Sequence, residues 1–396
     1  MGERLSCDVV VVGAGIVGAA CALYAAREGL SVAVVDRGPV TGGTTGAGEG
    51  NLLVSDKAPG PELELALLSL KLWRELADRA DLGERFEFEA KGGVVVASTA
   101  GARTELERFA DGQRAAGVVA ESVDGGAEGL HGLEPRLAPG LPGGVHYPQD
   151  CQVMPALAAA HLLRASGARL LTGRTVTAVL TAAGAVRGVR TDRGDIHAPA
   201  VVNAAGTWGG QVAALAGVRL PVLPRRGFVL VTEPLPRMIR HKVYAADYVA
   251  DVASGSAALQ TSPVVEGTAA GPVLIGASRE RVGFDRSFSP RVVRALAAGA
   301  TRLFPFLERV RVMRSYVGFR PYLPDHLPAI GPDPRLPGLF HACGHEGAGI
   351  GLAPGTGHLI AQALTGKAGR STDLSAAFSP GRFGERPAGP QAEEGA

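Results

Sequence analysis

The chain has 396 residues, 46% of them hydrophobic, with 40 Lys and Arg against 38 Asp and Glu and a formal charge of +2. That length and apolar content suffice for two domains around a buried core, and the balanced charge, without a long basic run, argues against a binder of nucleic acid or of a membrane surface. Four scattered cysteines (Cys7, Cys21, Cys151, Cys343) have neither CxxC nor CxH spacing, which argues against a metal or iron–sulfur site and points to a reducing compartment, by default the cytoplasm.

Residues 7–38 read CDVVVVGAGIVGAACALYAAREGLSVAVVDRG. Four valines form a strand, the glycines a turn, the alanine-rich stretch a helix, and a second apolar run a strand ending at Asp36. Each glycine has its own task. Gly13 makes the tight turn, Gly15 lets backbone approach a pyrophosphate, and Gly18 lets helix pack on strand. The diphosphate sits at the positive helix end, beside Ile16 and Val17, and Asp36 is placed to accept from ribose hydroxyls. The pattern predicts dinucleotide binding. Residues 9–26 carry no charge and are long enough for a membrane span, but glycines at nucleotide-loop spacing behind a β-branched strand fit a soluble α/β core better. No membrane span is expected, and no signal-peptide cleavage pattern follows.

After Asp36 comes RGPVTGGTTGAGEGN (37–51), where a nicotinamide dehydrogenase would continue its sheet. An extended loop of small and hydroxyl residues instead suits a longer cofactor lying against backbone, as FAD does. Residues 61–82 have the spacing of an amphipathic helix, and 86–98 read as a strand pair entering a second domain. Residues 155–166 read as a helix starting on proline, with a strand over 168–178 behind it. VVNAAGTW (201–208) is a buried strand ending in small residues. The runs GFVLVTEP, AALQTSPVVEG and PVLIGAS between 227 and 278 indicate an antiparallel sheet. Residues 290–303 are helical, and GHEGAGIGLAPGTG (344–357) is a loop opening a helix. The expected fold class is α/β (α+β), an FAD-binding Rossmann-like domain interleaved with a substrate domain built on an antiparallel sheet. Residues 1–85, 145–225 and 316–385 fall to the first, 86–144 and 226–315 to the second, and 386–396 to a disordered tail.

Five motifs occur in order along almost the whole chain: GAGIVG (13–18), GGTTGAGEGN (42–51), NAAGTWG (203–209), GFRPYLPDHLPAIG (318–331) and CGHEGAGIGLAPGTG (343–357). On these the chain resembles the superfamily of D-amino-acid oxidase and glycine oxidase, FAD-dependent amine and amino-acid oxidoreductases. Within it, the chain most resembles the flavoprotein subunits of hydroxy-D-proline dehydrogenase and hydrogen cyanide synthase. The resemblance implies FAD held without a covalent bond. Gly13, Gly15, Ile16, Val17, Gly18, Asp36 and Arg37 would hold its nucleotide half. The second loop would add Thr44, Thr45, Gly48, Glu49, Asn51 and Leu52, and the Val176 backbone would meet the adenine. Ala205, Gly206 and Trp208 would border the cofactor, and Gly347, Ala348, Gly349, Ile350 and Gly351 would close the flavin end.

The flavin brings the redox chemistry and the protein brings placement. An amino-acid substrate needs a cation for its carboxylate, with Cα–H directed at flavin N5. A planar guanidinium binds carboxylate through two parallel bonds, and Arg320 resembles the substrate-carboxylate arginine of glycine and D-amino-acid oxidases. Tyr244 and Tyr248 are candidates for a pocket wall or lid, His345 for a pocket-facing residue, and Arg226 for a place beside the flavin. Sarcosine oxidases attach flavin through a cysteine near this motif and activate oxygen with a lysine. Residues 316–325 hold no cysteine and 243–366 no lysine, so dissociable FAD and a dehydrogenase are expected. The expected reaction oxidises a small amino or imino acid, of the D-proline or hydroxy-D-proline kind, to the imine. Its electrons would pass to other subunits carrying iron–sulfur or flavin centres. The alternatives are an oxygen-using oxidase of glycine or sarcosine type releasing hydrogen peroxide, and a non-catalytic flavin-binding relay subunit.

Overall fold

The computed structural model describes residues 5–79, 83–247, 256–367 and 372–384. Val9–Val12 is buried on both faces at the inside of a six-stranded sheet. The order is Ala329–Pro332, Leu339–Cys343, Ala200–Asn203, Val9–Val12, Val32–Asp36, Arg169–Thr172. The five strands from Leu339–Cys343 onward pair in parallel, and Ala329–Pro332 joins antiparallel at the edge. A parallel sheet needs cover on both faces, and the alternating valines meet two different covers. Val9 and Val11 face helix Ile16–Arg27, which packs on Pro155–Ser166 and Gly349–Thr365. Val10 and Val12 face Val179, Val186, Val189 and Ile196 of a four-stranded sheet.

The other half is an eight-stranded sheet, ordered Val312–Tyr322, Leu223–Thr232, Val273–Arg279, Gln260–Gly267, Lys242–Ala245, Gly93–Ala97, Gly143–Tyr147, Glu121–Asp124. Because side chains alternate across a strand, its two faces differ in chemistry. One buries Phe228, Leu230, Val243, Val265 and Ile275 beneath Val292, Leu296 and Ala300 of helix Pro290–Leu303. The registers place Arg320, Tyr316, Val229, Gly276, Glu266 and Tyr244 on the other. That mixed face looks toward the parallel sheet and forms one wall of the site.

Helix Pro290–Leu303 has the expected bounds, with Ser289 as N-cap and Pro290 in the first turn. The expected strand over 168–178 is two strands, Arg169–Thr172 and Val176–Ala182, in different sheets, because the backbone turns at Gly173 with φ of +63°. The expected pair in 86–98 is one strand, Gly93–Ala97, since positive φ at Glu87 and Gly92 breaks the earlier run. The helix expected over 61–82 is Pro61–Ala77. Positions 145 and 316 fall inside strands of the eight-stranded sheet, and the tail from 386 lies outside the described residues. Among the described residues no helix is long and apolar enough to cross a membrane.

Candidate active site

The first strand ends at Gly13, where φ is +118° and an added Cβ would stand 2.4 Å from the Ala204 carbonyl oxygen. No other residue fits there. Helix Ile16–Arg27 follows with Gly15 as N-cap, no side-chain cap and no acid in its first turn. Thr45 Oγ1 accepts from the Ile16 N–H at 3.0 Å, fixing the second glycine loop against the helix start. The positive helix end therefore opens into a cavity of about 540 Å³, lined by Gly13, Gly15, Ile16 and Val17. Asp36 borders the same cavity but has a second task. Its carboxylate accepts from Ala14 N–H at 2.8 Å and Gly38 N–H at 2.7 Å, tying the first turn to the second loop.

Three segments meet on the Phe319 carbonyl oxygen, which accepts from Thr44 Oγ1 at 2.6 Å and Thr207 Oγ1 at 2.8 Å. This joins the loop 42–51 and the turn after Ala200–Asn203 to the long strand Val312–Tyr322. Trp208 lies under the Arg37 guanidinium, 4.3 Å from its ring centroid, and stacks on Phe284 at 5.4 Å. A neighbouring hollow of about 430 Å³ shares Thr44, Glu49, Arg286 and Gly318 with the first.

Arg320 lines the same cavity as Asp36 and stands on the mixed sheet face. Its Nη1 donates to the Ser278 carbonyl at 2.8 Å. Gly227 leaves it room, since a Cβ there would fall 2.3 Å from Nη1, and Gly347 borders its Cδ at ordinary contact distance. Beside it in register, Arg225 is 1% exposed and ion-pairs with Glu346, which also meets His326 Nδ1 at 3.1 Å. Burial alone would raise the Glu346 carboxyl, but His326 and Arg225 outweigh it and hold it below its ordinary value. His345 lines the cavity and places Nε2 2.9 Å from Thr356 Oγ1; full burial pushes it down to about 3, so it is neutral.

Most expected site residues converge. Arg37, Thr44, Thr45, Gly48, Glu49, Asn51, Val176, Ala205, Gly206, Trp208, Gly347, Gly349, Ile350, Arg320 and His345 all line the cavity. Gly18, Leu52, Ala348 and Gly351 stand behind its wall. A Cβ on Gly18 would lie 2.0 Å from the Gly13 oxygen, Leu52 is core, Ala348 is the N-cap of helix Gly349–Thr365, and the Gly351 carbonyl accepts from Trp73 Nε1. Tyr244 is a correction. It is fully buried away from the cavity and donates to Ser55 Oγ at 2.5 Å, because the segment after the cofactor loop lies over that part of the sheet. Tyr248 lies outside the described residues. Arg226 is not in the cavity wall either; it is ion-paired with Glu280 and Asp285. Arg174, Thr175, Gln211, Val229 and Arg286 line the cavity without having been singled out. They sit in loops, within a strand or, for Gln211, in the short helix Gly209–Leu215, and no local pattern marks them.

The cavity fits FAD. It runs from a nucleotide turn to a polar sheet face, offers a helix N-terminus for diphosphate, and holds a buried Asn51 Oδ1 without a hydrogen-bond partner. No cysteine lines it. Fold and site together define a flavin-dependent redox enzyme. The family model described as FAD dependent oxidoreductase (DAO) matches residues 8–363, and the chain belongs to that family. Hydrogen cyanide synthase subunit HcnC of Pseudomonas aeruginosa is 31% identical, over 89% of this chain and 91% of that protein. Glycine oxidase of Geobacillus kaustophilus is 32% identical, over 91% and 93%. The crystal structure of a glycine oxidase from Geobacillus kaustophilus superposes with a TM-score of 0.84, covering 95% of this chain and 98% of that one. L-proline dehydrogenase from P. horikoshii shares the fold at a TM-score of 0.85 and 23% identity, covering 96% and 98%.

Proposed function

We propose that the chain is an FAD-dependent dehydrogenase of a small amino or imino acid, of the D-proline or hydroxy-D-proline kind, working in the cytoplasm with partner subunits. The observation that carries this reading is Arg320, a guanidinium set in the wall of the cofactor cavity. When bound, FAD supplies the redox chemistry, taking a hydride from the substrate's α-carbon. Arg320 binds and orients the carboxylate, and the glycine at 227 keeps its place open. His345 stays neutral and presents no competing cation. Hydride loss from a neutral amine leaves an iminium, which sheds its proton to give the imine. The division into a cofactor domain and a substrate domain belongs to this reading, with the limits near 145, 225 and 316 shifted so as not to cut the strands of the eight-stranded sheet.

The cations lining the cavity are arginines, Arg37, Arg174, Arg286 and Arg320, with no lysine among the described lining residues. This favours a dehydrogenase over an oxidase, and the similarity to a subunit of hydrogen cyanide synthase supports partner subunits. The similarity to glycine oxidase supports the second reading, an oxygen-using oxidase. Anaerobic titration of the yellow protein with D-proline, 4-hydroxy-D-proline, glycine, sarcosine and L-proline decides between them. Bleaching by a proline with slow recovery in air is expected. Fast recovery with peroxide supports the oxidase, and a flavin that no amino acid bleaches sinks both.

A further inference from the structure

Glu49 was grouped with the cofactor-binding residues, yet its carboxylate turns to the opposite wall. A Cβ on Gly276, in strand Val273–Arg279, would stand 2.3 Å from Glu49 Oε1. Two residues along that strand, on the same face, the Ser278 carbonyl accepts from Arg320 Nη1 at 2.8 Å. The Glu49 carboxylate and the Arg320 guanidinium thus stand over neighbouring positions of one strand. Both line the same cavity, with Gly48, Gly227 and Gly318 beside them.

Glu49 is 9% exposed, and its Oε1 is buried without a hydrogen-bond partner among the described residues. Two buried lysines of this half of the molecule pair with other carboxylates. Lys242, 3% exposed, pairs with the fully buried Glu266 at 3.6 Å, and Lys91 meets Glu89 at 3.3 Å. A buried carboxylate oxygen lacking a donor is costly, so the site calls for a ligand that brings one. We infer that Glu49 receives the α-nitrogen of the substrate while Arg320 holds its carboxylate. This rests on the amino-acid reading above and deepens it. An α-amino or α-imino acid carries nitrogen on the carbon next to its carboxylate. With a hydrogen bond of about 3 Å at each end, such a molecule meets both groups at once. The pair makes the site selective for a carboxylate with an N–H donor beside it, and a simple carboxylic acid satisfies only half of it.

The test is binding to the FAD-loaded protein, read from the flavin absorbance spectrum without turnover. Two rings of nearly equal shape serve as probes: pyrrole-2-carboxylate, with an N–H beside its carboxylate, and 2-furoate, with an oxygen there. Wild type is expected to prefer the pyrrole at least about tenfold, as a hydrogen bond to a charged acceptor provides. Glu49→Leu should erase the preference, with 2-furoate bound no more weakly than by wild type. A wild type without the preference, or a Glu49→Leu protein that keeps it, overturns the inference. Should Glu49→Leu not hold FAD, the milder Glu49→Gln takes its place. It should raise KM for the bleaching amino acid about tenfold with unchanged 2-furoate binding, and unchanged KM counts against Glu49. Arg320→Ala separates the two levels. If it leaves 2-furoate binding intact, the carboxylate reading itself fails; if it abolishes 2-furoate binding while Glu49→Leu keeps the preference, only the role of Glu49 fails.

Discussion

Single side chains set the chemistry of the cavity, and three substitutions separate their tasks. Arg320→Ala should raise apparent KM about a hundredfold, as loss of a two-bonded charged contact implies, while the purified protein stays yellow. Unchanged kinetics would remove Arg320 from the substrate site. Gly15→Leu acts at the other end. A Cβ there already lies 3.0 Å from Thr45 Oγ1, and a larger group would project toward the helix end. The variant should fold and emerge colourless; a yellow product would refute the nucleotide-turn assignment. His345 tests burial through pH. Its folded pKa of about 3 lies below the ordinary value of 6.5, so the unfolded chain takes up its proton first. That contribution to stability is whole above pH 6.5 and fades as pH falls toward 3. Between pH 6.5 and 5 it amounts to about 2 kcal/mol. His345→Gln should flatten that part of a plot of denaturation midpoint against pH, and a parallel curve would show that His345 is not the titrating group.

Among the elements, the segment after the cofactor loop explains why Tyr244 is no pocket residue. Tyr244 donates to Ser55, Ser55 Oγ donates to Asp150, and Asp150 accepts from the Val54 N–H at 2.8 Å. Gln113 Nε2 donates to the Val54, Ser55 and Lys57 carbonyls, and Tyr147 donates to Gln113 Oε1 at 2.7 Å. This buried network fastens the segment after the cofactor loop to the sheet. Tyr244→Phe leaves Ser55 short of one donor and should cost about 1–2 kcal/mol of stability. KM should remain within about twofold, since no contact to substrate is removed. A KM change without a stability change would return Tyr244 to the pocket. Arg226 acts similarly for the stretch that carries Phe284 and Arg286, holding it by ion pairs to Glu280 and Asp285.

For the whole molecule, the chain passes repeatedly between the six-stranded and eight-stranded sheets. Gly93–Ala97 and Gly143–Tyr147 lie in the larger sheet, Arg169–Thr172 and Ala200–Asn203 in the smaller, and Leu223–Thr232 in the larger again. Neither sheet is a continuous stretch of chain, so neither can unfold while the other keeps all its connections. A single cooperative thermal transition is expected by calorimetry, and two resolved transitions would argue against interleaving. Ligand linkage adds to this. FAD at a hundredfold excess over its Kd should stabilise the fold by about 2.7 kcal/mol. Stripping FAD should lower Tm, and a Tm indifferent to FAD would mean that the cavity is not its site.

The nucleotide turn was readable directly because its demands are local. Glycines at 13, 15 and 18, between a β-branched strand and an alanine-rich helix, leave few other structures, and Asp36 follows at the strand end. Helix Pro290–Leu303 was legible for the same reason, with a cap, a proline and a regular apolar stripe. The glycine motifs placed the flavin end, and the resemblance marked Arg320. The substrate wall was a different matter. A residue's face on the eight-stranded sheet depends on registers set between strands far apart in sequence, as where Arg225 meets Arg320. Local spacing could not show that Tyr244 is roofed over by Ser55, that Glu49 reaches across to Gly276, or that Arg286 borders the cavity. The sequence by itself determined the cofactor, because backbone conformation and glycine spacing are short-range. Which further side chains line the cavity, and which expected ones do not, was decided by the tertiary structure, because that follows from strand pairing and burial.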